Sequence, residues 1–305
     1  MANIYTFDSR RAGLVYRTLV DAYLNRQYVF SRDRIFLPDE KIPENIEKGS
    51  ARHALYLFAI APMTKREVSS MIISRFRWHC EEHPDFLSID GILEVSEEEL
   101  AGVLKDDIGA GFSRSRAKAL KRNFLIFREK YSGDPRNFFN GQPVRKAISK
   151  ITEDFQEYGI KTAAMLALWF QKYGLAKFKD PQNLLPAIDI HKIRISKMTG
   201  VIDFDPKSRR IRDLLAKDFA VKLSKFCRNT QKTKNPLNIR FLDEALWILG
   251  SEACTKADAL ICYHDCPIYD LCSREFIVEN PHTSEFERVP MRNELQECFD
   301  FVRKV

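Results

Sequence analysis

Four of the chain's seven cysteines, Cys254, Cys262, Cys266 and Cys272, lie within nineteen positions near the C-terminal end, spaced Cys-x7-Cys-x3-Cys-x5-Cys. Chain connectivity alone keeps these thiols together, so the fold must pair them, ligate them or bury them. The total is odd, and the first thirty residues alternate charges with short apolar runs and read as no export signal, which argues against a disulfide framework. In a reducing compartment, four adjacent thiolates can surround zinc or an iron–sulfur cluster. Zinc sites usually pair Cys-x2-Cys knuckles across a longer loop. Here every gap is short and unequal, which suits a [4Fe-4S] cube wrapped by one loop, while His264 inside the loop keeps zinc as the alternative. Cys80, Cys227 and Cys298 are scattered and read as small apolar residues.

The rest of the chain points to helices. The stretches His53–Ala61 and Thr162–Phe170 are apolar almost all round, the pattern of helices at the centre of a bundle. Strand-like alternation is nearly absent, and Gly and Pro fall between helical blocks, as in Ser132-Gly-Asp-Pro135 and Asn140-Gly-Gln-Pro143. With 305 residues, 45% of them hydrophobic, an all-α protein of one or two compact domains is expected, with residues 37–50 and 279–290 as linker-like pieces. No apolar run approaches the length of a membrane span, so a soluble, cytoplasmic protein is expected. The net charge of +7 is unevenly placed: residues 141–240 hold 21 Lys and Arg against 9 Asp and Glu, whereas residues 241–305 are net acidic. That basic block is a candidate polyanion-binding surface, or a solvated basic face with no partner.

Four segments, in this order, resemble the helix-hairpin-helix DNA glycosylases that carry an iron–sulfur loop. Ile108-Gly-Ala-Gly111-Phe112-Ser-Arg114-Ser-Arg116-Ala-Lys118 is similar to the family's wedge loop. Phe155-Gln-Glu157-Tyr-Gly159-Ile-Lys161-Thr162-Ala163 is similar to its hairpin, usually Leu-Pro-Gly-Val-Gly-Arg-Lys-Thr-Ala, with Glu157 replacing the first glycine. Asp189-Ile-His191-Lys-Ile-Arg194 resembles the segment bearing the family's aspartate. The cysteine run resembles the closing loop of endonuclease III and the adenine-mismatch glycosylases, Cys-x6-Cys-x2-Cys-x5-Cys, with the first two gaps each one residue longer. Where the family has Ser-Ala-Gln-Ala-Thr, this chain has Ile60-Ala-Pro62-Met63-Thr64 and lacks the glutamine that fills the space of the orphaned base.

The resemblance implies a two-lobed glycosylase fold. Residues 51–186 would form a helical barrel lobe with the hairpin, residues 1–50 and 187–305 a second lobe with the cluster loop, and the cleft would lie between them. It implies a monomer acting on double-stranded DNA, nucleoid-associated when bound. Lys161 would be the nucleophile of a glycosylase and abasic-site lyase, and Asp189 the carboxylate that assists it. Phe112 would enter the gap left by a rotated base, and Arg114, Arg116, Lys118, Gly159, Thr162 and Arg194 would contact DNA. Cys254, Cys262, Cys266 and Cys272 would hold a structural [4Fe-4S] cluster. On the residues alone, Asp189 is equally a helix N-cap, Phe112 equally a core side chain, and His191 a packing residue. Two other functions stay open: a non-catalytic DNA binder that keeps the cluster, and a related enzyme acting on an unusual modified base or on RNA.

Overall fold

A computed structural model describes residues 4–33, 35, 37–64, 69–205, 211–254, 259–279 and 286–289; Cys298 lies outside them. The chain divides into two compact units, a terminal unit of residues 1–35 with 188–305 and a central unit of residues 36–187. The terminal unit opens with β1 (Tyr5–Phe7) and α1 (Ser9–Leu24). The central unit holds α2 (Ala51–Ile60), α3 (Ser69–Glu82), α4 (Ile89–Glu94), α5 (Glu97–Gly102), α6 (Ser113–Tyr131), α7 (Arg136–Phe139), α8 (Val144–Asp154) and α9 (Ile160–Lys172). The chain then returns to the terminal unit for α10 (Ile190–Met198), β2 (Ile202–Phe204), α11 (Ile211–Leu214), α12 (Ala220–Thr230), α13 (Ile239–Ile248), α14 (Ala259–Asp265), β3 (Phe276–Glu279) and β4 (Phe286–Val289). The fold is all-α in substance, with two short antiparallel strand pairs that the sequence pattern did not suggest, β1 with β2 and β3 with β4. Among the described residues no helix is long and apolar enough to cross a membrane.

Local sequence sets many helix starts. Asp8, Ser50 and Ser88 accept backbone N–H groups at the starts of α1, α2 and α4, and Ser96 with Glu99 closes a reciprocal capping box on α5. The two all-apolar stretches are indeed interior. Every residue from His53 to Ile60 of α2 is buried, and so is α9 from Thr162 to Phe170 except Met165. Around them the central unit has an aromatic core, with the Phe58 ring 4.6 Å from Phe127 and 4.9 Å from Phe155, and Phe139 4.3 Å from Phe170.

Residues 37–50 are no linker. Leu37, Asp39, Ile42 and Ile46 are buried, Lys172 of α9 reaches Asp39 at 2.8 Å and Glu40 at 2.9 Å, and the Tyr56 hydroxyl donates to the Lys41 carbonyl. The two prolines suggested a spacer, but apolar side chains at alternating turns bind the segment to the central unit. In the terminal unit, the N-terminal end is tied in by β1–β2, by Tyr16 to Ser196 at 2.7 Å and by Tyr23 to Glu244 at 2.8 Å. Of residues 279–290, Glu279 and Phe286–Val289 are strand.

His53 is fully buried, its Nδ1 accepts the Gly49 N–H at 3.0 Å, and its ring meets Tyr173 edge-on. Burial first, and Lys48 second, pull its pKa down to about 4 from the ordinary 6.5. The unfolded chain therefore takes up this proton at higher pH than the folded one. The stabilisation is whole above pH 6.5 and is lost as pH falls towards 4, by on the order of 2 kcal/mol at pH 5. Urea unfolding followed from pH 7 to 5 should show this decline, and His53→Gln should flatten it.

Candidate functional site

The hairpin between α8 and α9 is fixed from several sides within the central unit. The Phe155 ring lies 4.9 Å from Phe127, and the Tyr158 hydroxyl donates to the carbonyl of Phe58. Asn123 of α6 clamps the turn with its side-chain amide, donating to Gln156 O at 3.1 Å and accepting from Gln156 N at 2.9 Å. Glu157 has a left-handed backbone, φ +67°, the conformation a glycine would adopt there without strain. Gly159 differs: its φ is −92°, it is exposed, and a Cβ placed on it would meet nothing within 4 Å. The N-cap of α9 is Gly159, which has no side chain of its own to accept the N–H groups of the first turn. Lys161 is the second residue of that turn and half-buried, whereas Thr162 is buried and turned to the core.

The wedge segment adjoins the hairpin. After α5 the chain makes a wide π-helical turn, Val103–Asp107, and reaches Phe112, which has a left-handed backbone and is 69% exposed at the start of α6. Phe112 thus does not enter the core. Ser115 lies 3.4 Å from the Glu157 carboxylate, which brings the start of α6 and the hairpin together. Arg114 and Lys118 are exposed, one turn apart on one face. Arg116 is buried, because alternate helix positions stand about 200° apart and the face opposite Arg114 is the inner one. The expectation that it stands at a surface is corrected accordingly.

In the terminal unit, Asp189 is the N-cap of α10: its Oδ1 accepts Lys192 N–H at 3.0 Å, and its Oδ2 lies 3.6 Å from Lys192 Nζ. Lys192 is fully buried and also reaches Asp243 of α13 at 3.4 Å. Burial disfavours its charge, but the two carboxylates outweigh burial and hold its pKa above the ordinary lysine value. Arg194, expected at a phosphate, is 5% exposed. Its guanidinium donates to Gly250 O at 2.9 Å, lies 3.0 Å from His191 Nδ1 and stacks on Phe276 at 4.9 Å. His191 packs under Gly250, where a Cβ would stand 2.3 Å from that of His191.

The four clustered cysteines are carried to one cavity by the end of α13, by α14 and by the segment after it. The helical run of α13 ends in a π-helical turn, Leu249–Ala253, that delivers Cys254; α14 carries Cys262, and Cys266 and Cys272 follow. All four line one cavity, with Ile195, Met198, Leu249 and Ile268 among its walls. Cys254 is hydrogen-bonded by Arg194, Cys266 by the backbone at Ile268, and Cys272 by Arg274 N–H at 3.4 Å. Burial raises the pKa of these three thiols. Arg11 of α1 holds the end of the loop through Thr199 O and Leu271 O, and Arg32 pairs with Asp265. Among the described residues, no three His, Cys, Asp or Glu side chains are drawn in to the spacing of one metal ion's ligands.

No protein-family model matches the sequence, and a search of curated proteins gives no match. Solved structures do match. A thermostable thymine-DNA glycosylase is similar over 87% of this chain and 96% of its own, with TM-score 0.53 and 16% identity. The Methanocaldococcus jannaschii 8-oxoguanine glycosylase/lyase, in complex with DNA, is similar over 77% and 96%, with TM-score 0.50 and 16% identity. A trapped endonuclease III–DNA covalent intermediate is similar over 88% and 97%, with TM-score 0.54 and 13% identity. The chain has the helix-hairpin-helix DNA glycosylase fold.

On that glycosylase fold, sequence reasoning missed three residues that position the site. Lys192 was passed over because its second partner is 51 residues away, and Asn123 because its clamp on the hairpin joins positions 33 apart. Gly250 has no local sequence signal for its role, which is set by the close approach of His191: a Cβ at position 250 would stand 2.3 Å from that of His191. Gly250→Ala should therefore cost about 1–3 kcal/mol, measured by urea unfolding. Gly159→Ala, with a permissive φ and open space, should leave the unfolding midpoint within experimental error of the parent.

Proposed function

We propose that this chain is a base-excision DNA glycosylase with abasic-site lyase activity on duplex DNA carrying damaged or modified bases. The observation that carries the reading is Lys161 in the first turn of a helix whose N-cap, Gly159, is a glycine that packing within its own unit does not require, on the glycosylase fold. A helix start is a place where N–H groups can meet a phosphate, and a glycine N-cap such as Gly159 lets a strand approach the backbone. In the proposed role Lys161 supplies the amine that nucleophilic attack needs.

In the proposed reaction, Lys161 Nζ attacks the sugar C1′ and the C1′–base bond breaks, the base leaving with its electron pair and taking up a proton. Loss of the amine proton and ring opening give the Schiff base. Removal of a C2′ proton then expels the 3′ phosphate and nicks the strand. Asp189 supplies negative charge for the cation that develops on the sugar. Phe112, exposed beside the hairpin, is suited to fill the space of the displaced base. Arg114 and Lys118 are suited to contact phosphates, whereas Arg116 and Arg194 serve the interior.

The cysteine cavity fits a [4Fe-4S] cluster. Three of the four thiols lining the cavity have hydrogen-bond donors to sulfur, as cluster thiolates use, and the short unequal gaps of the loop suit a cube better than zinc knuckles. When bound, the cluster would hold the loop in shape; base excision needs no electron from it. Protein purified without oxygen should be yellow-brown with about four irons per chain, and Cys262→Ser should lose the colour and the stability of the terminal unit. One tightly bound zinc per chain would establish the alternative.

Duplexes bearing single lesions or an abasic site, treated with borohydride, test the activity. The parent should cross-link to at least one, and Lys161→Ala should abolish the cross-link while duplex binding persists. Binding should weaken with salt, with the slope reduced by about one for Arg114→Ala and for Lys118→Ala. A parent protein that binds duplexes and leaves every one intact would be a non-catalytic DNA binder.

A further inference from the structure

The wall of charge around Asp189 is unusual for a protein interior. Lys192 is 1% exposed and lies 3.6 Å from Asp189 and 3.4 Å from Asp243, themselves 8% and 9% exposed. A lone ammonium or carboxylate is strongly disfavoured inside a protein, so each of these groups depends on the others. An apolar side chain at position 192 would pack in this core without that requirement. The arrangement has two carboxylates sharing one ammonium. The other charged or titratable neighbours on α10 are His191, whose charged form burial disfavours, and Arg194, whose guanidinium is directed to Gly250 and His191.

We propose that Lys192 and Asp243 are positioning residues for Asp189, the shared ammonium holding its carboxylate ionised and fixed so that it acts as a standing negative charge and not as a proton carrier. Both oxygens of Asp189 are engaged on the helix side, Oδ1 by the backbone N–H and Oδ2 by Nζ, which removes the rotation that proton relay would use. The consequence for catalysis rests on the glycosylase reading above; the electrostatic coupling does not. Lys192 stays charged throughout, because the two carboxylates raise its pKa against the pull of burial.

The test is a ¹³C titration of the aspartate carboxyl groups in the full chain, with Asp189→Asn identifying the signal, alongside single-turnover base release. In Lys192→Met the Asp189 midpoint should rise by one pH unit or more, a tenfold gain in proton affinity. In Asp243→Asn, which removes a like charge and leaves Lys192 to Asp189 alone, it should fall. Base release should slow by up to about 100-fold in Lys192→Met, with duplex Kd changed less than about twofold. Unmoved midpoints in both variants overturn the proposal, and so does a midpoint that shifts the same way in both. If Lys192→Met does not fold, Asp243→Asn decides alone: a midpoint that does not fall overturns it. Displaced midpoints in a parent that releases no base would uphold the positioning role and sink the glycosylase reading; base release with unmoved midpoints would do the reverse.

Discussion

The terminal unit is organised by charge that cannot leave the interior. α10 has nine residues, and its buried ones include Lys192, Arg194 and Ser196 as well as Ile193, Ile195 and Met198. A helix with polar groups buried on several faces has no amphipathic stripe to direct it, so partners at fixed places must do so. They come from far along the chain: Asp243 for Lys192, Gly250 O for Arg194, and Tyr16 for Ser196. Breaking one buried pair leaves a charge without compensation, typically a loss of about 3–5 kcal/mol. This requirement sets the packing of α1, α10 and α13 more narrowly than apolar contact would.

The same helix joins the candidate aspartate to the cysteine loop. Its first turn is capped by Asp189, and its last residue, Met198, accepts Ser273 N–H at 2.8 Å and packs with Phe276 against Cys254 and Cys272. Arg194 lies between, engaging Gly250 on one side and Cys254 on another. A cluster that only holds its loop in shape would still bear on the aspartate, because loop and cap share one rigid element nine residues long.

Signals that act within a few residues were readable from the sequence. The Asp189 cap, the all-apolar α2 and α9, the turn glycines and the clustered cysteines each rest on neighbours in the chain. What could not be read depends on angle or distance. Arg114, Arg116 and Lys118 look equivalent in a row, but helical geometry exposes the first and last and buries the middle one. Residues 37–50 looked like a spacer because two prolines dominate the composition, while Asp39 and Glu40 find Lys172 some 130 residues later. Arg194 matched a surface motif, but the carbonyl it satisfies belongs to another helix.

The hairpin pairs a strained non-glycine with an unstrained glycine. At position 157 the backbone is left-handed and the residue is glutamate; at 159 the backbone is ordinary and the residue is glycine. Judged by the chain's own stability Glu157 is misplaced, since a left-handed non-glycine costs on the order of 1–2 kcal/mol, whereas at Gly159 the freedom that a glycine adds to the unfolded chain is offset by its place as the N-cap of α9, where glycine is preferred to alanine. A side chain at position 159 would meet nothing within 4 Å, so packing among the described residues does not require its glycine. Glu157 then adds a carboxylate beside the place a phosphate would occupy, within reach of Ser115 at the start of α6. On the proposed reading, a phosphate at α9 would be attracted by the helix start and repelled by Glu157, so the grip of this hairpin would be set by the difference between those terms and not by the motif alone.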